Sequence, residues 1–279
     1  MVIIRYCCCF WGYYPITSST IPTCSSNAIT SPVTLPTLSP SYTASPSSSN
    51  QPSSTSNPTI SNPIQYRGWY DWTWSSTSKS PANINLRIAF NGYADVTNAL
   101  ADSLPIFNSL SGKKILSIGG GNSVGRFTSA VLTNLNNAII AGKLVGYDGI
   151  CYDIEEGDSG LAQAFSTSFT IAKQYKFIVF VTTSHSAPYG ITDKVDLMTS
   201  FFSNPNIDIL SPQLYTFGTE SANDYAWDGT PWSAYASAKA AIVPSIVSAS
   251  MYADAQNFFA SPSRSGTSFQ IQGYVQWKQ

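Results

Sequence analysis

The chain has 279 residues, a formal net charge of −1 and only 10 % charged residues, against about 25 % in ordinary globular chains. After Arg5 the next charge is Arg67, so 28 of the 29 charged side chains lie in residues 67–279, 13 basic and 15 acidic. That balance excludes a nucleic-acid partner held by phosphate neutralisation, and it gives nothing to a polybasic membrane patch.

Residues 1–16 (MVIIRYCCCFWGYYPI) carry one basic residue and a mildly apolar run from Tyr6 to Tyr14. The run is too short to span a bilayer and has no Ala-x-Ala-like cleavage site. The segment reads either as a degenerate signal or anchor segment or as a misassigned start of the chain. Residues 17–64 hold 24 Ser or Thr and eight Pro. Proline removes backbone donors and disfavours helix before it, and so few apolar residues cannot offset the entropy of ordering. The stretch reads as a disordered Ser/Thr/Pro-rich tether, bare or O-glycosylated. Of five cysteines, Cys7, Cys8 and Cys9 are adjacent, Cys24 is in the tether and only Cys151 falls later. They make no disulfide framework, so an apolar core must hold the fold.

From residue 65 on, eight short apolar runs are predicted as strands: 67–74, 84–91, 114–119, 146–155, 177–183, 207–215, 241–248 and 270–277. Stretches 95–110, 124–141, 159–175, 192–202 and 232–239 read as helices between them. Alternating strands and helices predict a parallel sheet, and eight strands predict a (β/α)8 TIM barrel over 65–279. Helix 1 is expected to be short or absent, because about nine residues separate the first two runs, and helix 8 is missing at the C-terminus. These helices would be neighbours, so the flank is expected to bare an apolar patch unless something covers it, and the chain reads as truncated.

The segment Asp148-Gly-Ile-Cys-Tyr-Asp-Ile-Glu155 carries the strongest chemical signal. The period of two on a strand puts Ile150, Tyr152 and Ile154 on one face. Cys151, Asp153 and Glu155 fall on the other, with Glu155 at the C-terminal end where barrel sites are built. Two carboxylates at i and i+2 inside a barrel are costly unless they share protons or serve chemistry, and mutual repulsion would keep Glu155 protonated as a general acid. A polar strand end meeting solvent is the bland alternative. Ser117, Gly119 and Gly121 share parity on strand three, and such small residues, with Gly120, open the mouth beside strand four. On strand six Gln213 and Tyr215 are expected inward and Leu210 and Leu214 outward. On strand eight Ile271, Gly273, Val275 and Trp277 are expected on one face, with Trp277 at the mouth. Tyr70, Trp72 and Trp74, and also Tyr225, Trp227 and Trp232, are candidates for sugar subsites or for core. Asp148 is expected to support the strand start. Glu156 is expected at the surface, and His185, the sole histidine, in a structural or surface place.

Four of these segments together resemble family 18 glycoside hydrolases, the chitinases, and most closely the plant and fungal class III type. Leu116–Gly121 (LSIGGG) is similar to the family's strand-three motif, and Asp148–Glu155 (DGICYDIE) to its strand-four motif. Gln213-Leu214-Tyr215 is similar to the strand-six Gln-x-Tyr, and Trp277 to the strand-eight Trp. The resemblance implies cleavage of β-1,4-linked N-acetylglucosamine polymers by substrate-assisted hydrolysis with retention. Glu155 would protonate the glycosidic oxygen and Asp153 would hold the substrate acetamido group. Tyr215 would bond its oxygen, with Gln213 beside it, and Trp277 would floor the sugar. Ser117, Gly119, Gly120 and Tyr70 would help bind substrate. The mechanism needs no metal and no cofactor. The implied partner is a polysaccharide, chitin or a related glycan, met in an extracellular or cell-surface setting. A non-catalytic chitin-binding lectin on the same barrel is the alternative, and a structural wall protein is a third.

The resemblance breaks at Cys151, where the family has an Asp. A thiol is a weak, neutral donor near pH 7, so weakened activity or an acid-shifted optimum is expected. Restoring the carboxylate with Cys151→Asp is expected to raise kcat/KM on soluble chitin oligomers, by up to ~10²-fold. Equal kcat/KM for the two forms would remove any supporting role from this position.

Overall fold

A computed structural model describes residues 64–75 and 80–277. The expected signal or anchor segment and, Ile64 apart, the expected tether lie outside the described residues. Nine parallel strand segments form one sheet in the order β7-β6-β5-β4-β3-β2-β1-β9-β8. They are β1 (Tyr66–Trp72), β2 (Leu86–Phe90), β3 (Lys113–Gly119), β4 (Gly149–Ile154), β5 (Ile178–Thr183), β6 (Ile209–Pro212), β7 (Ala241–Ile242), β8 (Ser245–Ile246) and β9 (Gly273–Gln276).

The first and last segments of that order, β7 and β8, are consecutive in the chain and separated only by Val243 and Pro244. Proline has no amide hydrogen to donate to a ladder. β7 pairs with β6 and β8 with β9, and Gln213 bridges to Ser245 across the gap. The sheet therefore curls back on itself, giving a TIM-like α/β fold in which the expected seventh strand is broken in two.

Side-chain alternation sorts the sheet into two apolar layers. Tyr70, Ile88, Ile115, Cys151, Phe180 and Ile209 pack together inside the curl. Ile118, Ile150, Tyr152, Ile154, Val181 and Leu210 face the helices. The helices are α1 (Val96–Ser103), α2 (Ser129–Ile140), α3 (Ala162–Gln174), α4 (Lys194–Ser203), α5 (Tyr252–Ala260) and the single turn α6 (Pro262–Ser265). Capping sets where two of them start. Asp95 accepts from the Asn98 amide at α1, and Thr128 accepts from the Val131 amide at α2. The buried stripe of α3 is Phe165, Phe169 and Ala172, spaced four and three residues apart as one helix face requires. Phe165 also meets Phe127 and Phe201 edge-on.

Several expectations are corrected. The second half of the 95–110 stretch and all of 232–239 wind as 3₁₀ turns, Leu104–Ser109 and Trp232–Ser237; Pro105 interrupts the donors of the first. Helix α5 falls outside the stretches read as helical. Ile271 packs with the helix-facing layer while Val275 and Trp277 lie inside, because ladder pairing on β9 starts only at Gly273. No helix lies among the described residues between β1 and β2, as the short spacing implied.

Beside buried Trp69 and Ala89, the flank expected to bare an apolar patch buries an ion pair. On the faces of β1 and β2 opposite Tyr70 and Ile88, Asp71 and Arg87 are each 6 % exposed. Arg87 Nε donates to Asp71 Oδ2 at 2.6 Å, a second guanidinium nitrogen meets Oδ1, and a third donates to Ser80. A bidentate pair this buried stabilises only while both partners remain, since removing one leaves a desolvated charge. Arg87→Ala is expected to cost about 3 kcal/mol in a urea titration. A loss under roughly 1 kcal/mol, the size of a surface pair, would show that water reaches Asp71.

Candidate functional site

On β4 the inward positions are Cys151 and Asp153, both fully buried, and Glu155 follows at the strand end, 8 % exposed. Carboxylates in such surroundings need donors. The nearest is Gln213, just beyond β6, whose Nε2 lies 3.3 Å from Asp153 Oδ1 and 3.3 Å from Glu155 Oε1. One amide group thus spans both carboxyls.

Burial pushes the Glu155 carboxyl up to about 7, the Gln213 hydrogen bond pulls against that rise, and the charge of Glu156 adds to it. Low dielectric dominates the rise, and Glu156 is a like charge that adds to it. Burial also pushes the Cys151 thiol well above its usual range, and Asp153 adds to the shift. Cys151 is therefore a neutral apolar filler.

The Gly-rich segment after β3 forms the wall beside Glu155. Gly119 has φ +103°, and a Cβ there would sit 2.3 Å from the Asp153 carbonyl oxygen. Only glycine fits so close an approach. A Cβ on Gly121 would come within 2.8 Å of Glu155 Oε2, so the missing side chain leaves the carboxyl open to the hollow.

That hollow is narrow, with about 20 Å³ open to water, and its lining includes Gly120, Gly121, Glu155, Gln213, Tyr215 and Trp277. The Tyr215 and Trp277 rings stack at 5.8 Å and 28°. Phe90 meets Trp277 edge-on at 5.0 Å. One wall is therefore aromatic and the other carries an acid and an amide, which suits a ring with apolar faces and polar edges.

Other expected site residues are placed elsewhere. Asp153 lies one layer deeper, behind Gly120 and Glu155. Ser117 is fully buried and its Oγ accepts from the Asn91 amide. Tyr70 is 1 % exposed, bonded to Ser245 Oγ at 2.9 Å and edge-on beneath Trp277. Ser117, Gly119 and Tyr70 thus prop the hollow and do not line it. Asp148 stands at the opposite strand ends, where it accepts from the Lys114 amide and pairs with Lys113 at 2.9 Å. Of the aromatic candidates, Trp232 is core, Tyr225 stacks on Phe258, and Trp72 and Trp74 stack on each other beside Phe90 and Trp277.

Sequence reasoning passed over Phe90, Gly92, Asn122 and Thr216, which also line the hollow. Strand parity with Ile88 points to Phe90. An Asn following three glycines is an Asx-turn signal: Asn122 accepts from the Val124 and Gly125 amides and donates to the Gly92 carbonyl. His185 is linked to the hollow through Thr216, with Nε2 and Oγ1 2.7 Å apart. Among the described residues no cluster of His, Cys, Asp and Glu could hold a metal ion, and no helix is long and apolar enough to cross a membrane.

No protein-family model matches the chain, and no curated protein matches it. Among solved structures it is similar to the spore cortex-lytic enzyme SleL of Bacillus megaterium, at 12 % identity and a TM-score of 0.39. The match covers 66 % of this chain and 52 % of that one, so the chain spans about half the length of that structure.

The raised Glu155 value has a consequence for stability. The folded chain holds a proton that an unfolded carboxyl, near 4.5, releases earlier. That contribution is complete below pH 4.5 and is lost as pH rises through about 7. The melting temperature is expected to fall across this window, and Glu155→Gln is expected to flatten the fall. Identical pH profiles for the two proteins would exclude Glu155 as the source.

Proposed function

We propose that the chain is a glycoside hydrolase that cleaves β-1,4-linked N-acetylglucosamine polymers by substrate-assisted hydrolysis with retention. The observation that carries the reading is the single Gln213 amide 3.3 Å from both Asp153 and Glu155, at the floor of a hollow walled by Tyr215 and Trp277. The strand-three, -four, -six and -eight motifs resembling the family 18 enzymes support it.

In this reading a sugar seats against Trp277 and Tyr215. Glu155, protonated up to about pH 7, gives its proton to the glycosidic oxygen as the bond to the anomeric carbon breaks. The carbonyl oxygen of the substrate's own N-acetyl group attacks that carbon and forms an oxazolinium ion. Asp153 turns toward the hollow, holds the acetamido N–H and stabilises the positive charge, while Tyr215 bonds the acetamido oxygen. Water then adds at the anomeric carbon and gives a proton to the Glu155 carboxylate as the bond to the acetamido oxygen breaks, which restores the N-acetyl group and retains the configuration. Gln213 steadies both carboxylates throughout. A polymeric glycan fits work outside the cell or at its surface.

A chitin-binding lectin on the same fold is the second reading, favoured by the burial of Asp153 behind the wall of the hollow. One assay separates the two. Wild-type protein is expected to release a fluorescent leaving group from a chitotriose conjugate, and Glu155→Gln is expected to lower kcat at least ~10²-fold. Turnover kept by the variant would overturn the assignment of Glu155. Chitin pull-down by a wild-type protein that shows no turnover would establish the lectin.

A further inference from the structure

The family-like motif ends at Glu155, yet the next residue is a second glutamate held by contacts of its own. Glu156 Oε1 accepts from the Tyr189 hydroxyl at 2.8 Å. The same hydroxyl lies 3.2 Å from the Gly121 carbonyl oxygen, on the wall that faces Glu155 Oε2. Tyr189 is carried by the segment after β5, which runs beside the end of β4: Gly190 bridges to Glu156 and its amide donates to the Glu155 carbonyl at 2.9 Å. This approach depends on the absence of a side chain at Gly190, where a Cβ would meet Glu156 Cγ at 2.7 Å and the Glu155 carbonyl oxygen at 3.1 Å. From the other side the Phe127 amide donates to the Glu156 carbonyl at 2.9 Å. Segments after β3, β4 and β5 are thus clasped at one point, and that point is an anionic side chain adjoining the buried acid.

The other charged and titratable groups around the acid offer no counter-charge. Asp153 and neutral Cys151 share its strand. The segment after β6 brings Tyr215, and the segment after β5 brings Tyr189 and His185, the latter turned to Thr216 and Asp224. Arg126 and Asp158 pair with each other at 2.9 Å, both exposed. Among the described residues no cation forms an ion pair with Glu155 or Glu156.

We propose that Glu156, clasped by Tyr189, is a positioning residue whose fixed negative charge holds the proton on Glu155. It deepens the hydrolase reading by naming what keeps the general acid charged with its proton, and it rests on that reading only for its kinetic consequence. A fixed like charge at this range disfavours ionisation of its neighbour whether or not a substrate is present.

The test does not need turnover. The sequence holds only three glutamates, Glu155, Glu156 and Glu220, so a full chain carrying 13C-labelled glutamate carboxyls gives three titrating signals. Glu155→Gln assigns one of them. Glu156→Gln keeps an oxygen for the Tyr189 hydroxyl and removes only the charge. It is expected to lower the Glu155 midpoint by roughly half a pH unit or more. Tyr189→Phe keeps the charge and releases the clasp, and is expected to lower the midpoint by less. A Glu155 midpoint unmoved in Glu156→Gln, with an unchanged thermal melt, would overturn the proposal. Should that variant fail to fold, an unmoved midpoint in Glu156→Ser, which also removes the charge, does the same. In the hydrolase assay the alkaline limb of kcat/KM is expected to move down in step with the NMR midpoint. Absence of turnover at every pH refutes the hydrolase reading, and the titration then still decides the role of Glu156.

Discussion

Two carboxyl groups stand within a curled sheet whose interior includes Tyr70, Ile88, Ile115, Phe180 and Ile209. Desolvating an ion in such surroundings costs several kcal/mol even after relaxation. The fold meets that cost in two ways. It supplies one neutral donor, Gln213, to both groups, and it lets Glu155 keep its proton up to about pH 7. Much of the remaining architecture serves this arrangement. Glycines clear the wall beside Glu155, and the seam at Ser245 accommodates the hydroxyl of Tyr70 beneath the aromatic floor.

The hollow is assembled from side chains far apart in sequence. Phe90 comes from β2, the glycines from the end of β3, Glu155 from β4, Gln213 and Tyr215 from β6, and Trp277 follows β9. Each sits at the C-terminal end of a strand, where a parallel ladder holds the backbone and the following segment is free to vary. Props stand one layer below: Ser117 under the β2–β3 junction and Tyr70 under Trp277. Asp148 and Lys113 brace the opposite strand ends, remote from the chemistry.

Strand parity was legible wherever a strand ran unbroken. On β4 it separates Ile150, Tyr152 and Ile154 from Cys151 and Asp153, and beyond β6 it separates Leu214 from Tyr215, as the two apolar layers do. It failed at Ile271, because alternation has meaning only where the ladder pairs and β9 pairs from Gly273. It could not separate residues that touch the hollow from residues that prop it, since Tyr70 and Ser117 have the right parity but the wrong depth. The cause of the raised Glu155 value was also hidden. Spacing shows Asp153 two residues away, but not the depth of burial that raises Glu155, nor the Gln213 amide whose hydrogen bond opposes that rise. Glu156 looks like an ordinary surface residue until the segment carrying Tyr189 and Gly190 is laid beside it.

The pairing of β1 with β9 joins Tyr66 to Gly273, segments more than two hundred residues apart. A contact that remote closes a long loop and forms slowly. Trp277 lies just past it, so the aromatic wall arrives only when these two remote stretches of chain have met. Until then the acids on β4 have no aromatic wall facing them. The hollow is consequently complete only in a chain whose first and last strands have paired, so its geometry reports on closure of the whole sheet.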